Sequence, residues 1–325
     1  DTEKKQEILA DYTVRCRHTV SGKKKRFSLS SLALNLTEKA NWLMNFIRRK
    51  EWINGKHDDG WFNSYYDNHK QAVEGIVNDQ VRMMLTGQVF SIMSGVAENS
   101  HIQKIVKSAD RYLYQKETGG YRLNTDFHEV KLDMGRMFGF AYGEKENGAV
   151  FSHMTVMYAN ALYRRGFVKE GWKALKTLID TAMNFSVSHI YPGIPEYFRA
   201  DGRGMYSYLT GAASWLMMTM ITEVFGVRGE AGNLILHPRL LAEQFDQTGT
   251  ASITIPFAGK VLEIIYKNPD NRDFGSYIIG SASCDGTALT VNEEAFVLLL
   301  RRQLTALPGN QHTITITLEG GCINP

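Results

Sequence analysis

Two stretches of this chain combine glycines and hydroxyls, the first with a histidine, at the mouth of an apolar helical run. The first is Lys145-Glu146-Asn147-Gly148-Ala149-Val150-Phe151-Ser152-His153, followed by helical spacing from Met154 to Arg165. The second is Gly202-Arg203-Gly204-Met205-Tyr206-Ser207-Tyr208-Leu209-Thr210-Gly211, followed by Ala212 to Phe225. A helix start presents N–H groups without intrahelical acceptors and a partial positive charge, so it attracts anions. Gly148 permits close backbone approach. His153 can donate to an oxyanion, and Thr210-Gly211 can present a hydroxyl and an N–H to the same one. The plainer reading stays open here: Ser152 only caps, His153 only occupies a first turn, and the small residues near Gly211 only pack helices together.

Carboxylates are plentiful in loops: Asp58, Asp59, Asp67, Glu74, Asp126, Glu129, Glu144, Glu146, Glu196 and Asp201. Most such acids are solvated. Glu146 and Glu196 stand apart because glycines, prolines and aromatics flank them, a setting suited to binding sugar hydroxyls beside stacked rings. Three loops are rich in aromatics: Gly60 to Asn68, Gly119 to His128 and Tyr191 to Phe198. They place Trp61, Tyr65, Tyr121, Tyr191 and Tyr197 as expected walls of one cleft. There is no HExxH, P-loop, GxSxG or dinucleotide fingerprint, so neither a metal nor a nucleotide cofactor is expected.

The elements that must position these residues follow from periodicity. Seven helices are predicted, over 3–17, 30–52, 81–97, 101–114, 152–165, 168–185 and 208–225, with Thr37 as a candidate N-cap inside the second. The break at Gly166 predicts an antiparallel hairpin. Past Gly226 the texture changes to short runs over 233–238, 251–256, 260–266, 276–281, 287–291, 295–300 and 312–318, the pattern of an antiparallel β-sandwich or jelly roll. The expected organisation is a mainly α portion over 1–225, carrying the site loops as part of an (α/α)6 barrel, followed by a β domain over 226–325. About seven helices would supply half of a twelve-helix ring.

The chain has 325 residues, 43% hydrophobic and 22% charged, enough for a full core. Its net charge is +3 with scattered basic residues, and the run Lys23 to Arg26 lacks interleaved aromatics, which argues against nucleic acid. Three distant cysteines and the lack of a signal peptide or membrane-length apolar run fit a cytoplasmic protein. The charged, Met-less opening is also what a piece of a longer chain would show.

The motifs K-E-N-G-A-V-F-S-H, Y-P-G-I-P-E-Y-F and Y-L-T-G-A-A-S-W together resemble the C-terminal part of the inverting β-glucoside phosphorylases of glycoside hydrolase family 94. With G-W-F-N-S-Y-Y-D-N and G-Y-R-L-N-T-D-F-H-E-V, they are most similar to the branch acting on 1,2-β-oligoglucans, with the corresponding segment of cyclic β-1,2-glucan synthases next. The resemblance spans nearly all of residues 52–246. It implies an (α/α)6 barrel followed by a β domain. It also implies a phosphate site at His153, Thr210 and Gly211, and a sugar site including Glu146, Asn147, Tyr191, Glu196, Tyr197, Trp61, Tyr121 and Asp126. Inorganic phosphate would be the co-substrate, with a β-linked glucooligosaccharide as its partner and no other cofactor. The family's general acid is an aspartate in a D-W-N-D-like motif. No such motif occurs here, so the acid is expected upstream of this chain, which alone should be inactive and should associate with the missing portion or with another copy. Cellobiose or cellodextrin phosphorolysis, hydrolysis on the same helical frame, and a non-catalytic carbohydrate-binding remnant are the alternatives.

Overall fold

The computed structural model describes residues 2–16, 22, 24–190, 193–207, 210–292 and 295–321. The chain forms two compact units, Asp1–Phe46 and Ile47–Pro325.

The first unit holds α1 (Thr2–Cys16) and most of α2 (Leu29–Lys50), and neither helix has a buried residue. Helix α2 begins eight residues ahead of Thr37, which therefore lies in its interior rather than at a cap. Ser28 organises the first turn instead, with its Oγ accepting from the Ser31 N–H at 3.3 Å. The apolar stripe of α2 is as periodic as the sequence predicts. Its Trp42 and Phe46 rings stack at 5.3 Å, and both remain largely exposed.

In the second unit, β1 (Trp52–Asn54) pairs with β2 (Gly60–Phe62), and β3 (Gly75–Val77) pairs with β4 (Gln80–Arg82). The start of the expected helix over 81–97 is thus a strand: Val81 pairs with Ile76, and α3 runs only Leu85–Met93. Helix α4 (Asn99–Tyr112) follows, then the pair β5 (Tyr114–Gln115) and β6 (Gly120–Tyr121). A 3₁₀ segment, Leu132–Gly139, leads to β7 (Val150–Phe151) and α5 (Ser152–Arg164).

Helix α5 departs from an amphipathic pattern. Ser152 and every residue from Thr155 to Tyr163 are buried, because α3, α6 (Val168–Met183) and α8 (Gly211–Thr219, after the short α7, Phe185–Ser188) all pack on it. Its one mid-helix amide is satisfied across that interface, Asn160 Nδ2 donating to Thr219 Oγ1 at 3.2 Å. Two short strands, β8 (Tyr197–Phe198) and β9 (Gly204–Met205), join β7 in the order β7-β8-β9.

Beyond a π-helical turn at Met220–Val224, the remaining elements are strands apart from one 3₁₀ turn and one short helix. The strands β10 (Val227–Glu230) and β11 (Asn233–Leu236) form one sheet with β16, and a five-stranded sheet has the order β12-β13-β17-β14-β15. Those strands are β12 (Thr250–Phe257), β13 (Lys260–Lys267), β14 (Tyr277–Cys284), β15 (Thr287–Leu289), β16 (Val297–Leu299) and β17 (Gln311–Gly320), with α9 (Arg301–Ala306) before the last. Alternation is visible in β17, whose His312, Ile314, Ile316 and Leu318 are buried. Pro256 cannot donate to a ladder, and it lies in the edge strand β12. One pairing departs from the antiparallel expectation: β13 and β17 run parallel, Val261 to Lys267 against Gln311 to Thr317.

Candidate functional site

The two glycine-containing stretches and the loop ending at Phe198 meet through the small sheet β7-β8-β9. Phe151 pairs with Tyr197, and Tyr197 with Met205. The Ser152 N–H donates to the Glu196 carbonyl at 2.9 Å, and the Glu196 N–H donates to the carbonyls of Met205 (3.0 Å) and Tyr206 (2.9 Å). Residues far apart in sequence are therefore fixed at the start of α5.

Gly148 is locked into that start from beneath. The buried Asn124 accepts from the Gly148 N–H at 2.8 Å and donates to Asn147 Oδ1 at 3.2 Å, while Arg122 donates to the Gly148 carbonyl at 2.8 Å. Gly148 has φ +76°, and a Cβ there would lie 2.2 Å from the Tyr142 ring. Only glycine fits. Asn147 is 7% exposed and its amide also donates to the Phe140 carbonyl at 2.9 Å, so this side chain holds the loop rather than facing a ligand.

His153 projects from the first turn of α5 onto the first turn of α8. A Cβ on Gly211 would lie 2.9 Å from its Cε1 and 3.0 Å from its Nδ1. The ring also sits 5.7 Å from that of Trp215, and its Nε2 is buried without a hydrogen-bond partner. Burial pushes the His153 pKa below its ordinary value, which favours the neutral ring. Thr210 caps α8: its Oγ1 accepts from the Ala212 N–H at 3.1 Å, which leaves the hydroxyl proton available to a further acceptor. The Gly211 N–H has no acceptor within its own helix. The two helix starts singled out in the sequence thus come together, with three donors suited to an oxyanion. Glu146 Oε2 and Ser152 Oγ are likewise buried and unpartnered.

The loops that adjoin β7, β8 and β9 carry charged and aromatic groups that pair with one another. Glu146 pairs with Arg136 at 3.3 Å, and Glu144 with Arg199 at 3.0 Å. Tyr197 donates to Glu144 Oε2 at 3.3 Å; burial first, then Glu144, pushes its pKa up to about 12. The Lys145 ammonium lies 4.3 Å from the centre of the Tyr206 ring. Glu196 has no ion-pair partner among the described residues. Arg136 was not singled out by sequence; Glu144 entered there only as one loop acid among ten, and Lys145 and Tyr206 only as members of the two stretches.

Of the five rings expected to share one cleft, the four among the described residues do not do so. Trp61 is fully buried, with Nε1 donating to the Arg82 carbonyl at 3.2 Å. Tyr121 is buried against Tyr158 at 5.0 Å and donates to Asp110 at 2.6 Å. Tyr197 is buried, stacked 6.3 Å from Phe151. These side chains are packing groups, because the loops that carry them turn inward as strands β2, β6 and β8. Tyr65, 48% exposed, lines a separate apolar groove with Phe62 and Phe90. Tyr191 lies outside the described residues. Asp126 folds onto its own loop, accepting from the His128 N–H at 2.8 Å. Among the described residues, no three His, Cys, Asp or Glu side chains gather as a metal site, and no helix is long and apolar enough to cross a membrane.

Residues 25–226 match the model of the Glycosyl hydrolase 94 superfamily, catalytic domain. The chain is 27% identical to cellobionic acid phosphorylase of Neurospora crassa, over 52% of this chain and 23% of that protein. It is 23% identical to 3-O-beta-D-glucopyranosyl-beta-D-glucuronide phosphorylase of Paenibacillus borealis, over 88% of this chain and 35% of the relative. Similarity at 24% extends to cyclic beta-(1,2)-glucan synthase NdvB of Rhizobium meliloti, over 63% of this chain and 7% of that protein. The chain thus spans about a third or less of each.

Proposed function

We propose that this chain, which belongs to the glycosyl hydrolase 94 superfamily, contributes the phosphate-binding side of the active site of an inverting glycoside phosphorylase acting on β-1,2-linked glucooligosaccharides. The observation that carries the reading is the contact of His153 with Gly211, with an unpartnered Nε2 beside a helix start. Phosphorylases of this superfamily use inorganic phosphate as co-substrate. The β-1,2 linkage rests on the motif resemblance and on the similarity to the glucan synthase. The helical elements are proposed to form part of an (α/α)6 barrel over residues 1–225, with the β domain over 226–325.

In this reaction a general acid, for which this chain carries no D-W-N-D-like motif, protonates the leaving glycosidic oxygen. Phosphate attacks the anomeric carbon from the opposite face, the C1–O bond to the acceptor breaks, and α-glucose 1-phosphate and a shortened glucan leave. Phosphate takes the place of the water and base of an inverting hydrolase, so one carboxyl group suffices. His153 Nε2, Thr210 Oγ1 and the Gly211 N–H would hold the phosphate oxygens and offset their charge as the bond forms. Glu146 and Glu196 would bind hydroxyls of the donor sugar, a role that rests on the motif resemblance.

The test uses the complete protein, sophorotriose and phosphate, with release of glucose 1-phosphate as the readout. His153→Asn is expected to lower kcat/KM for phosphate by about a hundredfold or more. Unchanged phosphate kinetics in that variant would remove the phosphate assignment, and faster turnover of cellotriose would remove the linkage. Release of free glucose without phosphate would favour hydrolysis. The 325-residue chain alone is expected to give no turnover.

A further inference from the structure

The far end of α5 carries a second cavity. His153 and Arg164 are separated by nearly the whole helix, about 17 Å at 1.5 Å per residue. Around Arg164 lies a pocket of about 420 Å³ whose lining includes Asn99, Arg164, Arg165, His237, Arg239 and Phe274. Three guanidinium groups line it, and no carboxylate does.

The positive charge is not cancelled nearby. Arg165 spends its nitrogens on the carbonyls of Ile92 (3.2 Å) and Ala97 (2.8 Å) and on Asn99 Oδ1 (3.2 Å), none of which is ionised. Arg239 pairs with the buried Glu223 at 2.8 Å, but Arg228 claims the same carboxylate oxygen. Arg164 has no ion-pair partner among the described residues. Of the three lining arginines, Arg239 alone has an ion-pair partner among the described residues, and it shares that acid with Arg228. A simpler role is to neutralise the C-terminal end of α5, but a helix end carries only about half a negative charge. Three lining arginines carry more positive charge than that half charge offsets. Burial, and then the nearby arginines Arg228 and Arg164, lower the Arg239 pKa, a sign that this group lacks full compensation.

His237 adds a directional group. It lines the same pocket, and its Nε2 is buried with no hydrogen-bond partner. An orphaned buried ring nitrogen costs free energy unless something completes it. Burial, with Arg239 and Arg228 beside it, holds its pKa down at about 4, so the ring is neutral and can present an N–H.

We propose that this pocket binds a phosphate dianion, either free or as the phosphate group of a small sugar phosphate, at a site separate from the contact of His153 with Gly211. Arginine forks match phosphate oxygens in pairs, and a neutral imidazole N–H adds one more donor. A volume of about 420 Å³ falls in the range of small-molecule sites and exceeds what a bare phosphate fills. This site goes beyond the proposed phosphorolysis and does not depend on it.

Titration calorimetry of the full chain at low salt, with inorganic phosphate and with glucose 1-phosphate, tests it. Arg164→Ala is expected to weaken binding about tenfold, with Arg164→Lys between the two. His237→Phe should weaken it several-fold, and His153→Asn should leave this binding in place. Tighter binding of glucose 1-phosphate would assign a sugar phosphate, and equal affinities would assign the free ion. Circular dichroism checks that each variant keeps its melting temperature. The proposal is overturned if neither ligand binds, if the folded Arg164→Ala and His237→Phe variants bind like the parent, or if His153→Asn alone abolishes all binding.

Discussion

Gly211 lets the proposed phosphate site be tested apart from stability at a single atom. Its φ is not in the left-handed region, so alanine is tolerated by the backbone, and a helix gains about 0.5–1 kcal/mol from that change. The added Cβ would nevertheless sit 2.9 Å from the His153 ring, closer than carbon atoms approach, so the ring must swing away from Thr210. Gly211→Ala is therefore expected to keep the melting temperature within a degree or two while weakening phosphate binding at this site by about tenfold or more. Trp215, 5.7 Å from the same ring, supplies a second readout, because its fluorescence should change as His153 moves. Unaltered phosphate affinity with altered fluorescence would show that the ring moved but holds no anion. Gly148 contrasts with it: φ +76° and the Tyr142 ring both forbid a side chain, so its substitution should cost stability first. The sequence made both glycines legible as special. It could not tell which is required by the backbone and which only faces a histidine ring, because that depends on what stands opposite each Cα.

Between elements, Glu74 is the buried acid whose environment matters most. It joins the loop after β2 to α3: its carboxylate accepts from the Ser64 N–H at 2.9 Å, the Ser64 hydroxyl, the Met84 N–H at 2.7 Å and Gln88 Nε2 at 3.4 Å. Those donors favour the ionised form, but full burial outweighs them and pushes the pKa up to about 8. The folded state thus binds a proton that the unfolded chain releases near 4.5. Stability from this group is complete below pH 4.5 and is lost as pH rises through 8, an effect on the order of a few kcal/mol. Glu74→Gln should flatten the fall in unfolding free energy between pH 5 and 8.5 in urea titrations. An identical slope in the variant would refute the assignment. Glu74 appeared in sequence as one loop acid among ten, since nothing local announces burial by partners up to fourteen residues away. Helices α3 to α6 and the later strands were legible to within a few residues because periodicity is local. The β3–β4 hairpin was not, because Val81 has the same apolar character in a strand as in a helix. The five loop rings looked like a cleft for a related reason: an aromatic signals contact area without saying whether a sugar or the core supplies it.

At the scale of the whole molecule, the pairing that sequence could not foresee is β13 with β17, parallel and more than forty residues apart, since no local pattern encodes a crossover of that length. The helical portion leaves a different mark. A groove of about 810 Å³ lined by Phe62, Tyr65, Tyr66, Phe90, Met93 and Val96 stays open, with Phe90 52% exposed and Tyr65 48% exposed. Contiguous apolar surface of this kind is uncommon on a protein that stays monomeric and is covered when a matching surface is at hand. In a solution of the chain by itself, the matching surface available is another copy. Sedimentation velocity at increasing concentration should therefore show association at tens of micromolar, driven by apolar burial and hence little weakened by salt. Phe90→Asp should shift the chain towards monomer. Because the side chain is already half exposed, the unfolding free energy should change by less than about 1 kcal/mol. A parent chain that remains monomeric throughout the concentration series, or a Phe90→Asp variant that associates as strongly as the parent, would show that this groove does not drive self-association.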